Sequence, residues 1–191
     1  SSNKLVVFST LGKFYTINCS RVSSGRGFGD PISLLIDKND NEEVLFFKIY
    51  EQDKEFLITS SAGKGFFVNS NDFIASTKSG KKVMNLKDND RAVSCAEKKG
   101  DLIVSISGEK KSFKLLAFNS SEIPNMQKGR GVTLQKFKLG KTLNAFCADS
   151  NEGIINERSK KVLLSAKDLK KWLGKRAQAG RIEPKNLHSK I

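Results

Sequence analysis

Four short stretches of this 191-residue chain combine glycine with closely spaced cations: SGRGFG (Ser24 to Gly29), SGKKVM (Ser79 to Met84), KGRGVTLQKFK (Lys128 to Lys138) and GKRAQAGR (Gly174 to Arg181). Glycine lets a backbone approach a ligand closely and present its N–H groups, while Lys and Arg add positive charge. The chemistry suited to such a turn is phosphate binding. One G-R-G turn alone is usually a β-turn with a solvated charge; four in a chain of net charge +14 shift the balance toward a binding surface. Folding does not require that excess, because like charges repel in the compact state, so a polyanionic partner is implied, nucleic acid or an anionic membrane surface. From Arg158 to Ile191 eleven Lys/Arg stand against two Asp/Glu, so the charge is concentrated toward the end of the chain. The candidate contact residues are Arg26, Lys81, Lys82, Lys128, Arg130, Lys175, Arg176 and Arg181, with Lys136 and Lys138 expected to extend the track on an alternating strand.

Other chemistries find no support. The Gly25, Gly27, Gly29 cluster lacks the βαβ setting of a dinucleotide fingerprint, and GxxxxGK[ST] is absent. His188 is the sole histidine, which leaves no Ser/His or Cys/His pair for nucleophilic catalysis and too few ligands for zinc. Cys19, Cys95 and Cys147 are scattered and odd in number, and read as small buried hydrophobes in a reducing compartment. Glu42-Glu43 and Asp88/Asp90 read as solubilising loops, and Tyr15 and Tyr50 fall within strands. No catalytic residue and no metal ligand is expected. The longest apolar runs, ISLLI and VLFF, are far too short to span a bilayer, so no membrane insertion is expected.

The elements that must carry the basic turns form a repeat. LVVFSTLGKFYTIN (Leu5 to Asn18) reads as strand, turn, strand; FLITSSAGKGFFVN (Phe56 to Asn69) and LIVSISGEKKSFKLLAF (Leu102 to Phe118) repeat it, and IINERSKKVLLSAKDL (Ile154 to Leu169) is a weaker fourth copy. Copies recur roughly every 45 to 51 residues, the range of propeller-like arrays. After each hairpin come a polar cap (CSRV, NDFI, SEIP, KDLKKWL) and then a Gly-basic turn; ISLLI and EEVLFFKIY supply further strands. About four strands per unit and scarcely any helix give an all-β array of four-stranded blades. The expected organisation is one domain over residues 1–191, with blades at approximately 4–53, 54–101, 102–153 and 154–184 and a tail at 185–191. In SAKDLKKWLG, Ser165 should cap a short helix that anchors Trp172 in the core, and Gly174 should end it and release GKRAQAGR as an exposed arm.

A cationic turn placed once per blade makes a positive track around a curved rim, suited to a long stiff polyanion such as duplex DNA. Phosphate contacts and shape reading are expected rather than base readout. Two rivals remain: a propeller scaffold for acidic proteins, which lacks WD- or kelch-type signatures, and an RNA-binding β domain, for which exposed stacking aromatics are missing.

These residues resemble a known family. FLITSSAGKGFFV, SGKKVMNL, IPNMQKGRGVTLQKFK and WLGKRAQAGRIEPK are similar to the C-terminal β-pinwheel of bacterial type IIA topoisomerase A subunits, in the topoisomerase IV style. The resemblance runs from Leu5 to Lys185. It implies a non-catalytic DNA-binding and DNA-bending piece of a longer, ATP-dependent enzyme that decatenates and relaxes DNA in the bacterial cytoplasm. It further implies a heterotetramer of two A subunits with two B subunits, with ATP and Mg2+ handled outside this stretch, and about five or six blades in all. Gyrase A subunits are the alternative; Gln127-Lys128-Gly129-Arg130-Gly131 lacks the doubled basic and doubled glycine core of the gyrase box.

Overall fold

In the computed structural model, residues 3–22, 25, 29–184 and 187–191 are described. Three antiparallel hairpins form the frame: β1 (Lys4–Ser9) with β2 (Lys13–Asn18), β4 (Glu55–Ser60) with β5 (Lys64–Asn69), and β8 (Leu102–Glu109) with β9 (Ser112–Asn119). Each first strand takes a later strand of its own unit on its other side: β3 (Val44–Ile49), β7 (Ala92–Glu97) and β11 (Lys141–Ala148). A register shift falls at the same place in all three pairings, at Phe8/Ser9, Thr59/Ser60 and Thr142/Asn144.

The fourth strand of each sheet comes from the following unit. β6 (Lys81–Lys82) pairs with β2, β10 (Val132–Thr133) with β5, and β14 (Arg181–Ile182) with β9. The sheets therefore run β3-β1-β2-β6, β10-β5-β4-β7 and β11-β8-β9-β14. Blades are four-stranded as expected, but they are not the contiguous ranges 4–53, 54–101 and 102–153. The second strand of each hairpin would otherwise present an unpaired edge, and the exchanged strand covers it while locking consecutive units together. The weak fourth copy is not a four-stranded blade: β12 (Ile154–Ile155) and β13 (Val162–Leu164) form a two-stranded ribbon.

Hairpins are apolar on both faces because both faces are covered: the middle sheet lies between the other two, and other segments cover the outer faces of the first and third. Phe56 and Ile58 of β4 join Phe8, Phe14, Phe66 and Phe73 in the core between the first two sheets, where Phe14 stacks on Phe73 at 3.9 Å. Leu57 points the other way, into the core with Phe67, Ile103, Leu116 and Phe118. The third sheet's far face is covered by Ile154, Leu164, Leu169 and Leu187, with Trp172 packed against it as a core anchor. Backbone bonds staple neighbouring blades at equivalent positions, Ala92 N–H to Thr10 O and Thr142 N–H to Ser61 O, both 2.9 Å. Lys48 of β3 adds an ion pair to Glu97 of β7 at 2.7 Å.

Three local expectations are corrected. ISLLI is no strand but a turn of helix, α1 (Ile32–Leu35), with Pro31 at its N-cap, whose carbonyl accepts from Leu34 N–H at 2.9 Å. Its i, i+3, i+4 residues Ile32, Leu35 and Ile36 pack on Val7, Tyr15 and Ile17. The acidic pairs are not simply solubilising: Glu42 and Asp90 are buried. Glu42 accepts from Ser9 Oγ at 2.5 Å, Tyr15 OH at 2.8 Å and Asn39 N–H at 2.9 Å, and Asp90 accepts from Ser61 Oγ at 2.7 Å and Ala62 N–H at 3.0 Å. Both therefore tie the loop before an edge strand, β3 or β7, to a hairpin. Residues 134–140 carry no strand, so Lys136 and Lys138 lie on a loop. Among the described residues no helix is long and apolar enough to cross a membrane.

Candidate nucleic-acid interface

The Gly-basic segments share one path. After each hairpin the chain runs beside the second strand of the preceding hairpin, Phe67 bridging Asn125 and Ala117 bridging Leu173 in parallel. It then turns through the basic loop and comes back as the exchanged antiparallel strand. The residue before that strand is Gly80, Gly131 or Gly180, at φ of +77°, +83° and +76°. A Cβ at Gly80 would stand 2.8 Å from the Tyr15 ring, and at Gly131 and Gly180 it would run into the carbonyls of Gly65 and Leu115. Glycine is thus required for laying the exchanged strand against its hairpin, a role distinct from close approach to a ligand.

Successive basic segments touch. Gly129 N–H donates to Val83 O at 3.0 Å, and Asn85 N–H donates back to Gly129 O at 2.8 Å, which seats the Lys128–Arg130 loop against the segment that directly follows β6 (Lys81–Lys82). One unit on, Ala177 N–H donates to Leu134 O at 2.8 Å and Lys136 N–H to Gln178 O at 3.0 Å. The structure therefore brings the described candidates into one edge-to-edge series along the outermost strands and the loops beside them.

Individual side chains differ in their freedom. Lys81, Lys82, Lys128, Lys136, Lys138, Lys175 and Arg181 are exposed. Arg130 is half-buried, and its enclosed Nε has no hydrogen-bond partner. Arg176 is committed: its Nη1 donates to Thr133 O at 2.9 Å and its backbone N–H to Glu122 Oε2 at 3.0 Å. GKRAQAGR is accordingly no exposed arm. Gly174 N–H bonds Ala117 O at 2.8 Å, Lys175 N–H bonds Gln178 Oε1 at 3.0 Å, and the buried Gln135 amide reaches Ala179 O at 2.9 Å. Arg26 lies outside the described residues. Sequence reasoning missed Lys78, which sits in the first described basic loop and donates to Leu34 O at 3.1 Å; its place in the same loop as Lys81 was the available signal.

Catalytic features are sparse. Among the described residues no group of three or more His, Cys, Asp or Glu could hold a metal. The three thiols are unpaired, and burial pushes those of Cys95 and Cys147 upward. His188 packs on Phe113 and bonds Glu183.

Three four-stranded blades interlocked by exchanged outer strands, with a basic series along those strands, define a β-pinwheel. Residues 54–96 and 117–142 match the family described as DNA gyrase C-terminal domain, beta-propeller. Over 188 residues the chain is 40% identical to the A subunit of DNA topoisomerase 4 from Rickettsia felis, covering 98% of this chain and 25% of that protein. Its fold is similar to the E. coli ParC C-terminal domain at a TM-score of 0.81 and 22% identity, covering 97% of this chain and 78% of that one. The DNA gyrase A C-terminal domain follows at 0.68 and 26%, covering 96% and 62%. The chain belongs to the C-terminal β-pinwheel domains of topoisomerase IV and gyrase A-type subunits, and it spans about a quarter of the length of the curated relatives it matches.

Proposed function

We propose that this domain binds double-stranded DNA along its outermost strands and bends it, presenting a segment to an ATP-dependent type II topoisomerase for decatenation and relaxation. The observation that carries the reading is the edge-to-edge series in which Gly129, between Lys128 and Arg130, bonds the segment that directly follows Lys81 and Lys82, on a chain of net charge +14. A curved line of cations held by backbone bonds neutralises phosphates without reading bases, as an enzyme acting at many sequences requires. Arg130, Lys81, Lys82, Lys128, Lys175 and Arg181 make the phosphate contacts, with Lys136 and Lys138 beside them; Arg176 chiefly positions the loop. This chain supplies no chemistry of its own. ATP, Mg2+, the B subunits and the other copy of the A-type chain belong to the rest of the enzyme, which works on the chromosome in the cytoplasm during segregation.

A competition assay among duplex DNA, single strands and RNA, run on wild type and on Lys81→Glu/Arg181→Glu, tests this reading. Preference for duplex that collapses in the charge-reversed protein, with unfolding unchanged, supports it. Equal binding of all three, or binding indifferent to the reversal, contradicts it.

A further inference from the structure

Each hairpin places one lysine at the same register position, opposite the exchanged strand. Lys13 faces Lys82, Lys64 faces Thr133 and Lys114 faces Ile182. Each stands five residues before the asparagine that ends its strand, Asn18, Asn69 and Asn119. Lys160 stands in the same relation to Ser165, the cap of α2 (Ala166–Leu169).

Strand alternation fixes the face these lysines take. Phe66, two residues after Lys64, lies in the core between the first and second sheets, and Leu116, two after Lys114, in that between the second and third. Tyr15, two after Lys13, lies on the corresponding outer face of the first sheet. The three lysines therefore occupy the equivalent face of their sheets, beside the outermost strand, and for Lys64 and Lys114 that face is turned toward the preceding blade.

Their partners separate them from the lysines that carboxylates already neutralise within the fold. Lys48, Lys54, Lys98, Lys99 and Lys171 are paired with carboxylates. Among the described residues Lys13, Lys64, Lys114 and Lys160 form no ion pair; Lys13 Nζ rests 3.4 Å from Ser79 O, and Lys64 Nζ 2.6 Å from Thr133 Oγ1. These are neutral oxygens of the exchanged segments, acceptors that a phosphate oxygen can replace with gain of charge pairing.

We propose that Lys13, Lys64 and Lys114 form a second row of phosphate contacts, one in each blade beside its exchanged strand, with Lys160 continuing it. The row rests on the DNA reading above and adds a regular spacing to it: identical register in each unit sets the cations at equal intervals around the arc. The duplex is then held from two sides of the outermost strand, by the basic loops on one and the hairpin lysines on the other.

The test is the salt dependence of affinity for a random-sequence duplex, measured on the whole chain. Lys13→Gln/Lys64→Gln/Lys114→Gln should lower the slope of log affinity against log salt by about 2.7, at 0.9 for each lost phosphate contact. The Lys→Arg triple should keep the wild-type slope and show that the fold tolerates the positions. Lys54→Gln/Lys99→Gln/Lys171→Gln removes the same charge from lysines already paired with carboxylates, and should leave the slope nearly unchanged. An unaffected hairpin triple, or equal losses in both Gln triples, overturns the proposal while leaving duplex binding intact. A wild-type chain that does not bind duplex overturns the DNA reading and this inference with it.

Discussion

Gly129 donates its backbone N–H to the carbonyl of Val83 at 3.0 Å, although the two residues belong to consecutive repeats. That contact joins the basic loop of one unit to the basic strand of the unit before it. Charge placement along the rim is therefore a consequence of strand exchange: what closes the outer edge of each sheet also lines up the cations.

The glycine before each exchanged strand should be among the least replaceable residues. Gly131→Ala asks a Cβ to occupy the space of the Gly65 carbonyl at φ of +83°. A loss of more than about 1 kcal/mol is expected, since left-handed backbone penalises alanine even without a clash. Denaturant unfolding should show it, with Gly29→Ala, where a Cβ meets nothing within 4 Å, as a comparison for the φ effect alone.

Arg176 and Arg181 lie five residues apart yet should fail differently. Arg176→Ala removes a charged donor from Thr133 O and is expected to cost about 1.5–3 kcal/mol of stability. Arg181, exposed on β14, should leave stability unchanged and instead lower the salt slope of duplex binding by about one. Thermal unfolding and binding of the two variants side by side separate these roles.

Glu42 gives the first blade a pH dependence. Burial pushes its carboxyl up, but the bonds from Ser9, the Asn39 N–H and Tyr15 outweigh this and hold it below its ordinary 4.5. The unfolded chain then takes up the proton first, so this stabilisation is complete above pH 4.5 and is lost progressively as pH falls from there through the folded value. Glu42→Ala strands the buried Ser9 and Tyr15 hydroxyls, and should cost about 1–3 kcal/mol at neutral pH and flatten the acid limb of a stability–pH curve.

Tyr15 acts at the other end of the scale. Burial first, then the Glu42 hydrogen bond and charge, raise its hydroxyl well above the ordinary 10.0. Its contribution is complete below pH 10.0 and lost progressively above it, because the unfolded chain ionises first. Tyr15→Phe should remove this alkaline loss; ultraviolet titration of the two tyrosines should show Tyr15 ionising only on unfolding.

Much of the fold was legible in the chain because it is local. Hairpins such as KLVVFS and KFYTIN joined at Gly12 declare themselves by apolar runs and turn residues, and their recurrence declares an array. Strand exchange is not local: nothing within Lys81–Lys82 or Val132–Thr133 says that the partner lies in the preceding unit, and two-residue strands carry no periodicity. ISLLI misled because apolar runs of this length suit either helix or strand, and only Pro31 tips the balance. Glu42 misled because a buried carboxylate is recognised by partners as distant as Ser9. The basic turns were found by composition, whereas the commitment of Arg176 to Thr133 became visible only in space.

The central claim, that the exchanged strands carry a track for duplex DNA, is tested most directly by titrating a random-sequence duplex against the chain across a range of salt. A multi-blade track predicts a steep linear fall of log affinity with log salt, about 0.9 for each phosphate neutralised. A slope near one or less, at an affinity no better for duplex than for an acidic polypeptide, would contradict it.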